Sequence, residues 1–275
     1  MKPKLKSFLL WVLAFFITVA AGYYQRTTGP TYEIRGKAVI DGTTYKYKLI
    51  RTYDGSDDAP IELTISDPDV TGELKLKRYK SHDDWSTTSM ERQGEKLIGY
   101  IPHQEMAGKV MYHVNLMKNG NSYLLNEEPA VIRFKGFVPR GVLFSHIITI
   151  FLAMLFSTRT AFEVIFKLKY TYLYTWLTLI FLAVGGMTLG PVIQKYAFDA
   201  YWTGWPFGHD LTDNKSLLAF IFWLVALIYQ IWNKEKKTWA IVAAVVLFAV
   251  YMIPHSVLGS EIDYTKETPK TDIPE

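Results

Sequence analysis

No cysteine occurs in the 275 residues. This excludes a disulfide, a thiolate metal ligand, an iron–sulfur cluster, a covalently attached c-type haem and a cysteine nucleophile. Any exported domain must therefore hold together by its apolar core. Catalytic signatures are missing as well: there is no Gly-x-Ser-x-Gly elbow, phosphate-binding glycine loop, dinucleotide fingerprint or zinc-protease helix. A strong charge of one sign is also lacking, because 30 Lys and Arg against 26 Asp and Glu leave only +4. Many of the excess lysines flank apolar runs, where they orient a membrane protein, so nucleic acid is set aside as a partner.

What is abundant is apolar: 49% of the residues are hydrophobic and 15% aromatic, with charge concentrated between Gln25 and Arg140 and in short clusters. The first apolar run, Phe8 to Ala21, follows Lys2, Lys4 and Lys6. That is the pattern of a signal peptide or of an uncleaved anchor, and Tyr23-Tyr24, suited to a membrane interface, favours the anchor. Four further candidate spans follow, near 142–157, 172–192, 217–231 and 239–253. Several are short for a bilayer. Alternate connections carry Lys2, Lys4, Lys6, then Arg159, Lys167, Lys169, then Lys234, Lys236, Lys237. The opposite connections of this part offer only Lys195, Lys215 and the tail lysines. The positive-inside rule then predicts five spans with the N-terminus in and the C-terminus out. In a bacterial inner membrane the outer side is the periplasm.

Between the first span and the others the apolar period drops to two, as in Tyr45-Lys46-Tyr47-Lys48-Leu49 and Val110-Met111-Tyr112-His113-Val114, which predicts half-buried strands. Asp41-Gly42 marks a hairpin, and Asp67-Pro68-Asp69, Lys118-Asn119-Gly120-Asn121, Gly94 and Gly108 mark loops or breaks. About seven short strands in this length is the count of an immunoglobulin-like or fibronectin-III-like all-β sandwich, with Trp85, Tyr112 and Val114 expected in its core. The predicted organisation is an anchor or signal peptide at 1–24, the periplasmic β-sandwich at 25–140, a four-helix transmembrane region at 141–254 and a periplasmic tail at 255–275.

Two sets of residues carry a resemblance. Trp85, Met90, Gly94, Ile101-Pro102-His103-Gln104, Ala107-Gly108 and Val110 to Val114 resemble the fibronectin-III-like domains of exported bacterial proteins, in which a tryptophan strand, a proline-containing turn and a tyrosine-rich strand succeed one another. Val131 to Gly136, Gly190 to Phe198, Tyr201 to Lys215 and Ile253 to Tyr264 resemble a family of bacterial integral membrane proteins with no assigned activity. The resemblance covers essentially the whole chain and implies the same architecture. It supplies no catalytic residues.

Three histidines are expected near the outer rim: His146 early in the second span, His209 in the outer loop and His255 just past the last span. Asp199, Asp210, Asp213, Glu261 and Asp263 stand near them in sequence. Imidazoles and carboxylates on one rim are what a transition-metal site requires, and two opposed imidazoles could hold haem b. The plainer reading is hydrogen bonding and helix capping, with Asp213 as N-cap of the fourth span. No His-x-x-x-His or Glu-x-x-His spacing favours the metal. A substrate or proton role is the third possibility.

Tyr201, Trp202, Trp205 and Phe207, with Gly204 and Gly208, make the outer loop too aromatic for an ordinary solvated turn. Such residues serve either the headgroup layer or a partner surface. Gly186 and Gly190 are spaced to let a neighbouring helix approach, and Arg159 and Glu163 are spaced to pair, as a gate or, more commonly, as an interfacial anchor by snorkelling. Transport lacks an inverted repeat and an acidic residue at mid-span. Besides the lipid bilayer, two functions stay open: a non-enzymatic accessory or scaffold protein binding an envelope partner, and a membrane redox or metal protein. The balance is against an enzyme.

Overall fold

The structure, a computed structural model, describes residues 3–233, 235–255, 257 and 259–266; Lys2, Lys234 and the tail beyond residue 266 lie outside the described residues. The chain divides into two compact units, Met1–Pro30 with Val138–Ser260, and Thr31–Phe137 with Glu261–Glu275.

The first unit is helical. Its elements are α1 (Pro3–Thr27), α2 (Arg140–Ile165), α3 (Thr171–Leu182), a π-helical stretch (Ala183–Leu189), α4 (Gly190–Phe198), α5 (Leu211–Trp232) and α6 (Thr238–Met252). Pro3–Thr27, Arg140–Ile165, Thr171–Phe198 and Leu211–Trp232 are long and apolar enough to cross a membrane, and α6 is a shorter apolar helix. At 15 residues α6 reaches about 22 Å, less than a hydrocarbon core about 30 Å thick. Only 17–33% of the most apolar stretch of each long helix is buried. Phe8, Phe16, Phe144 and Val245 point outward, an apolar surface untenable in water and natural in lipid. The protein is therefore an integral membrane protein.

Beside Met154, Leu182, Trp223 and Leu227, the interior of this unit holds many small and polar side chains. Ala14, Ala21, Ala153, Ala219, Ala226, Ala240 and Ala243 are buried, with Thr18, Ser157, Thr160, Thr175, Thr178 and Gln230. Gln230 Nε2 donates to Thr175 Oγ1 at 3.0 Å, tying α5 to α3. Arg159 and Glu163 do pair, at 2.7 Å, but both are fully buried. The pair is not an anchor snorkelling to the interface: Arg159 instead donates to Ser7 at 3.2 Å and lies over the rings of Trp11 and Tyr174. The close approach expected at Gly186 and Gly190 falls one residue earlier. A Cβ on Gly185 would stand 2.7 Å from Thr149 Oγ1 on α2, whereas Gly190 meets only the carbonyl of Gly185. The π-helical turn sets this register ahead of Pro191.

The second unit holds β1 (Ile34–Ile40), β2 (Thr43–Leu49), β3 (Thr52–Tyr53), β4 (Ala59–Thr64), β5 (Thr71–Arg78), β6 (Ser86–Ser89), β7 (Glu91–Gln93), β8 (Lys96–Ile101), β9 (Lys109–Lys118), β10 (Asn121–Leu124) and β11 (Ala130–Phe134). These form three open sheets: β1-β2, β4-β8-β7, and β3-β11-β9-β5-β6 with β10 also on β9. Asp41-Gly42 turns β1 into β2 with Ile40 opposite Thr43, and both turn residues have positive φ, 46° and 82°, as a two-residue type I′ turn needs. Asn119-Gly120 does the same between β9 and β10. The sheets enclose one apolar core that includes Leu49, Ile61, Leu74, Ile101, Tyr112, Val114 and Phe134. Trp85 is not in it. Its partly exposed ring lies 5.4 Å from that of His113, because the chain leaves β5 and returns in β6 with Trp85 outside the paired segment. Residues 261–266 pack on this unit, with Ile262 N–H donating to the Ala107 carbonyl and Tyr264 O–H to Gln104.

Candidate functional site

A second group of polar residues of the helical unit gathers at the end where α1 and α6 finish and α2 and α5 begin. α4 closes at Asp199, in the left-handed conformation, its carboxylate 2.6 Å from Lys195. The loop that follows is held by the first turn of α5. The N-cap of α5 is Asp210, not Asp213 as its sequence position predicts: Asp210 Oδ1 accepts from Thr212 N–H at 2.8 Å, and Oδ2 accepts from both N–H and Oγ–H of Ser260 at 2.9 Å. Asp213 lies three residues past the cap, inside the first turn. It accepts instead from the N–H groups of Thr203 and Gly204, at 2.7 and 3.0 Å. Asn214 accepts from Trp205 N–H at 2.7 Å, and Gln194 of α4 donates to Thr203 Oγ1. Gly204 has no room for a side chain, since a Cβ would lie 2.6 Å from that of Asp213.

This scaffold presents rings outward. Tyr201, Trp205 and Phe207 are 61%, 68% and 82% exposed. Trp202 is tied down by its indole N–H, which donates to the Trp205 carbonyl at 3.0 Å. The loop is thus fixed through its backbone, while its large apolar surface is left uncovered.

Beside the capped turn lies a cavity of about 600 Å³ that opens among α1, α2, α5 and α6. His146, Lys215 and His255 line it. His146 Nδ1 lies 2.9 Å from the Gly185 carbonyl; a carbonyl only accepts, so the proton sits on Nδ1. Lys215 is 8% exposed and donates to the carbonyls of Ile253 and Pro254, at 3.1 and 3.3 Å. His255 keeps surface open to the cavity, yet protein encloses it otherwise. That enclosure, with the Lys215 charge beside it, holds the imidazole down to about 4, and His255 is neutral at pH 7.

The seven-residue set that reads in sequence as one metal or haem cluster is divided by the fold. His146 and His255 share the cavity, Asp210 and Asp213 are engaged as cap and loop clamp, and His209 is exposed without lining the cavity. Glu261 and Asp263 belong to the β unit. There Glu261 pairs with both Lys80 and Lys109; burial pushes its carboxyl up, but the two ammonium groups outweigh this and hold it below the usual range. Asp263 accepts from Thr265 and pairs with Lys266. Among the described residues no group of three or more His, Asp or Glu is placed to hold a metal ion.

Sequence reasoning counted Lys215 only as a charge and passed over Thr203 and Asn214. The signal available for Lys215 was its place: a lysine that opens the apolar run of a span, one turn inside the helix, has nowhere to go but a cavity or the bundle interior. Comparison with protein-family profiles, with curated proteins and with solved structures returns no match.

Proposed function

We propose that the protein is a non-enzymatic accessory or scaffold component of a bacterial inner membrane, with five spans, the N-terminus inside, and its β unit and aromatic loop offered to a protein partner in the periplasm. The observation that carries this reading is the loop at 201–208: Asp213 and Asn214 accept from the backbone N–H groups of Thr203, Gly204 and Trp205, while the rings of Tyr201, Trp205 and Phe207 stay exposed. Pre-fixed exposed aromatics are the composition of binding hot spots, because little entropy remains to be lost on docking. On the same reading the three sheets form an immunoglobulin-like or fibronectin-III-like sandwich, which supplies recognition surface without a catalytic group.

Support for the orientation comes from which helix ends meet. Lys6 of α1 lies over Phe166, just past α2, and Thr175 of α3 meets Gln230 of α5. The lysine-rich turns of the chain therefore belong to one end of the helical unit, as the positive-inside rule requires of a cytoplasmic face.

A photo-crosslinking amino acid at Phe207 in intact cells tests the partner. One discrete protein adduct is expected, reduced when Trp205→Ser is added and not formed from the exposed control position Asp199. Adducts to lipid alone would place the loop in the headgroup layer and end the scaffold reading. Single cysteines, introduced on the cysteine-free background, check the orientation: an impermeant reagent should label Asn119→Cys and spare Lys236→Cys.

A further inference from the structure

We infer that the cavity of the helical unit binds a single-chain anionic amphiphile, its phosphate or carboxylate head at Lys215 and its chain among the apolar residues deeper in the bundle. The inference depends on neither the scaffold reading nor the orientation, only on the helices lying in a membrane.

Three observations carry it. The first is polarity along the cavity. Arg26, Thr212 and Lys215 stand at the helix ends, while Ala153, Leu182 and Leu247 wall the deep part. Along α1 the lining runs from Arg26 back to Thr18, about 12 Å at the helical rise, and along α5 from Thr212 to Ala219, about 10 Å. One polar mouth above an apolar shaft is the shape of an amphiphile; a hydrophilic solute would leave its own polar groups unpaired against those walls. The volume, about 600 Å³, falls within the range of about 300–1,000 Å³ usual for ligand sites.

The second is the state of Lys215. A buried ammonium is costly unless its donors are met, and it has three. Two go to the carbonyls of Ile253 and Pro254. Both are neutral acceptors, so beside the Asp210 charge that acts on it the ammonium keeps a third donor for an anion reaching the mouth of the cavity. A charge-assisted bond to phosphate or carboxylate is stronger than the neutral bonds now present.

The third is what surrounds that ammonium. His146 and His255 line the same mouth. For His146 the Nδ1 proton is committed to Gly185, which leaves Nε2 as its second polar atom. It suits a protonated phosphate or a hydroxyl next to the head. The nearby carboxylates are hydrogen-bonded to their own loop and cap: Asp210, whose charge also acts on Lys215 and His255, to Thr212 and Ser260, and Asp213 to Thr203 and Gly204.

The test uses the full chain in nanodiscs of phosphatidylcholine, with a labelled monoacyl phosphate as probe and three competitors: the fatty carboxylate of the same chain, the neutral monoacylglycerol of the same chain, and inorganic phosphate. The wild-type protein should bind about one probe per chain. The carboxylate should compete, the monoacylglycerol about tenfold less well, and inorganic phosphate not at all at millimolar concentration. Lys215→Gln should erase the preference for the charged head, and Lys215→Arg should keep it. Gly186→Leu, built where a Cβ has only ordinary contacts with Ser216 and Ile150, should weaken charged and neutral chains alike. Equal competition by charged and neutral chains, competition by inorganic phosphate alone, or an unchanged preference in Lys215→Gln would each overturn the inference. The competition series on the wild-type chain decides the matter even if a substituted chain fails to fold.

Discussion

The two units bury polar groups to opposite ends. In the β unit the buried polar side chains complete the backbone. Asn126 accepts from Val114 N–H and donates to the carbonyls of Tyr112 and Glu128, and Tyr112 donates to the Ile50 carbonyl at 2.7 Å. Each closes a gap where a strand ladder stops. In the helical unit the spans need little such help, because helices satisfy themselves; it is the loop at 201–208 and the start of α5 that draw on Asp210, Asp213 and Asn214. There the buried polar side chains join one helix to another: Arg159 to Ser7, Gln230 to Thr175, His146 to the Gly185 carbonyl. With lipid as apolar as leucine, burying leucine between helices brings little, and close packing of small residues plus polar ties must choose the partners. The same residue types thus finish secondary structure in one unit and specify tertiary structure in the other.

The sharpest way to break that contrast is at the buried ion pair. Arg159→Ala strands the Glu163 carboxylate in an apolar interior, and an uncompensated buried charge costs about 3–5 kcal/mol. The paired change Arg159→Met with Glu163→Leu removes both charges and should recover most of the loss. Unfolding of the reconstituted protein by increasing mole fraction of SDS measures both. If the single and paired variants lose the same stability, the pair does not specify the helical packing.

The β unit offers the matching test with an apolar group. Tyr112 is fully buried, and Tyr112→Ala should cost about 3–5 kcal/mol, as large aromatic truncations in cores do. Trp85, on the surface of β9 beside His113, should cost about 1 kcal/mol or less when replaced by Ala. Hydrogen exchange at the amides of β9 reads both in the intact chain. A larger loss for Trp85 than for Tyr112 would relocate the core.

The same contrast explains what could be read from the residues alone. In the β region apolar residues mark the inside, so alternation locates Tyr112 and Val114 correctly, and Asp41-Gly42 announces its own hairpin because few residues accept positive φ. In the helical region apolar residues mark the outside. Hydropathy therefore finds the spans while saying little of which face is buried, because the buried faces mix alanines, threonines and Arg159 with Met154, Leu182, Trp223 and Leu227. Trp85 misled because tryptophan next to a strand usually means core. The rim site was half legible: His146 and His255 do meet, but the distance in sequence between the loop and the tail hides that Asp210 spends its second oxygen on Ser260, and that Glu261 folds with the other unit. Capping position was misjudged by three residues, since Asp210 and Asp213 both stand ahead of the apolar run and only the start of the helix tells them apart.

The smallest expected effect lies at that cap and bears on how the helical unit completes its backbone with a side chain where a helix begins. Asp210 does so for Thr212, while its other oxygen holds Ser260. Asp210→Ala removes both and should cost about 1–2 kcal/mol, the usual range for an N-cap. Asp210→Asn separates the two roles. Asparagine caps as well as aspartate, so its carbonyl can keep Thr212, but the amide nitrogen that replaces Oδ2 cannot accept from the Ser260 N–H. Exchange at the Thr212 amide should stay slow in Asp210→Asn while exchange at Ser260 rises, and both should rise in Asp210→Ala. If Asp210→Asn releases both amides together, cap and tail tie are one cooperative unit. The helical unit would then treat this buried carboxylate, like that of Asp213, as the β unit treats Asn126.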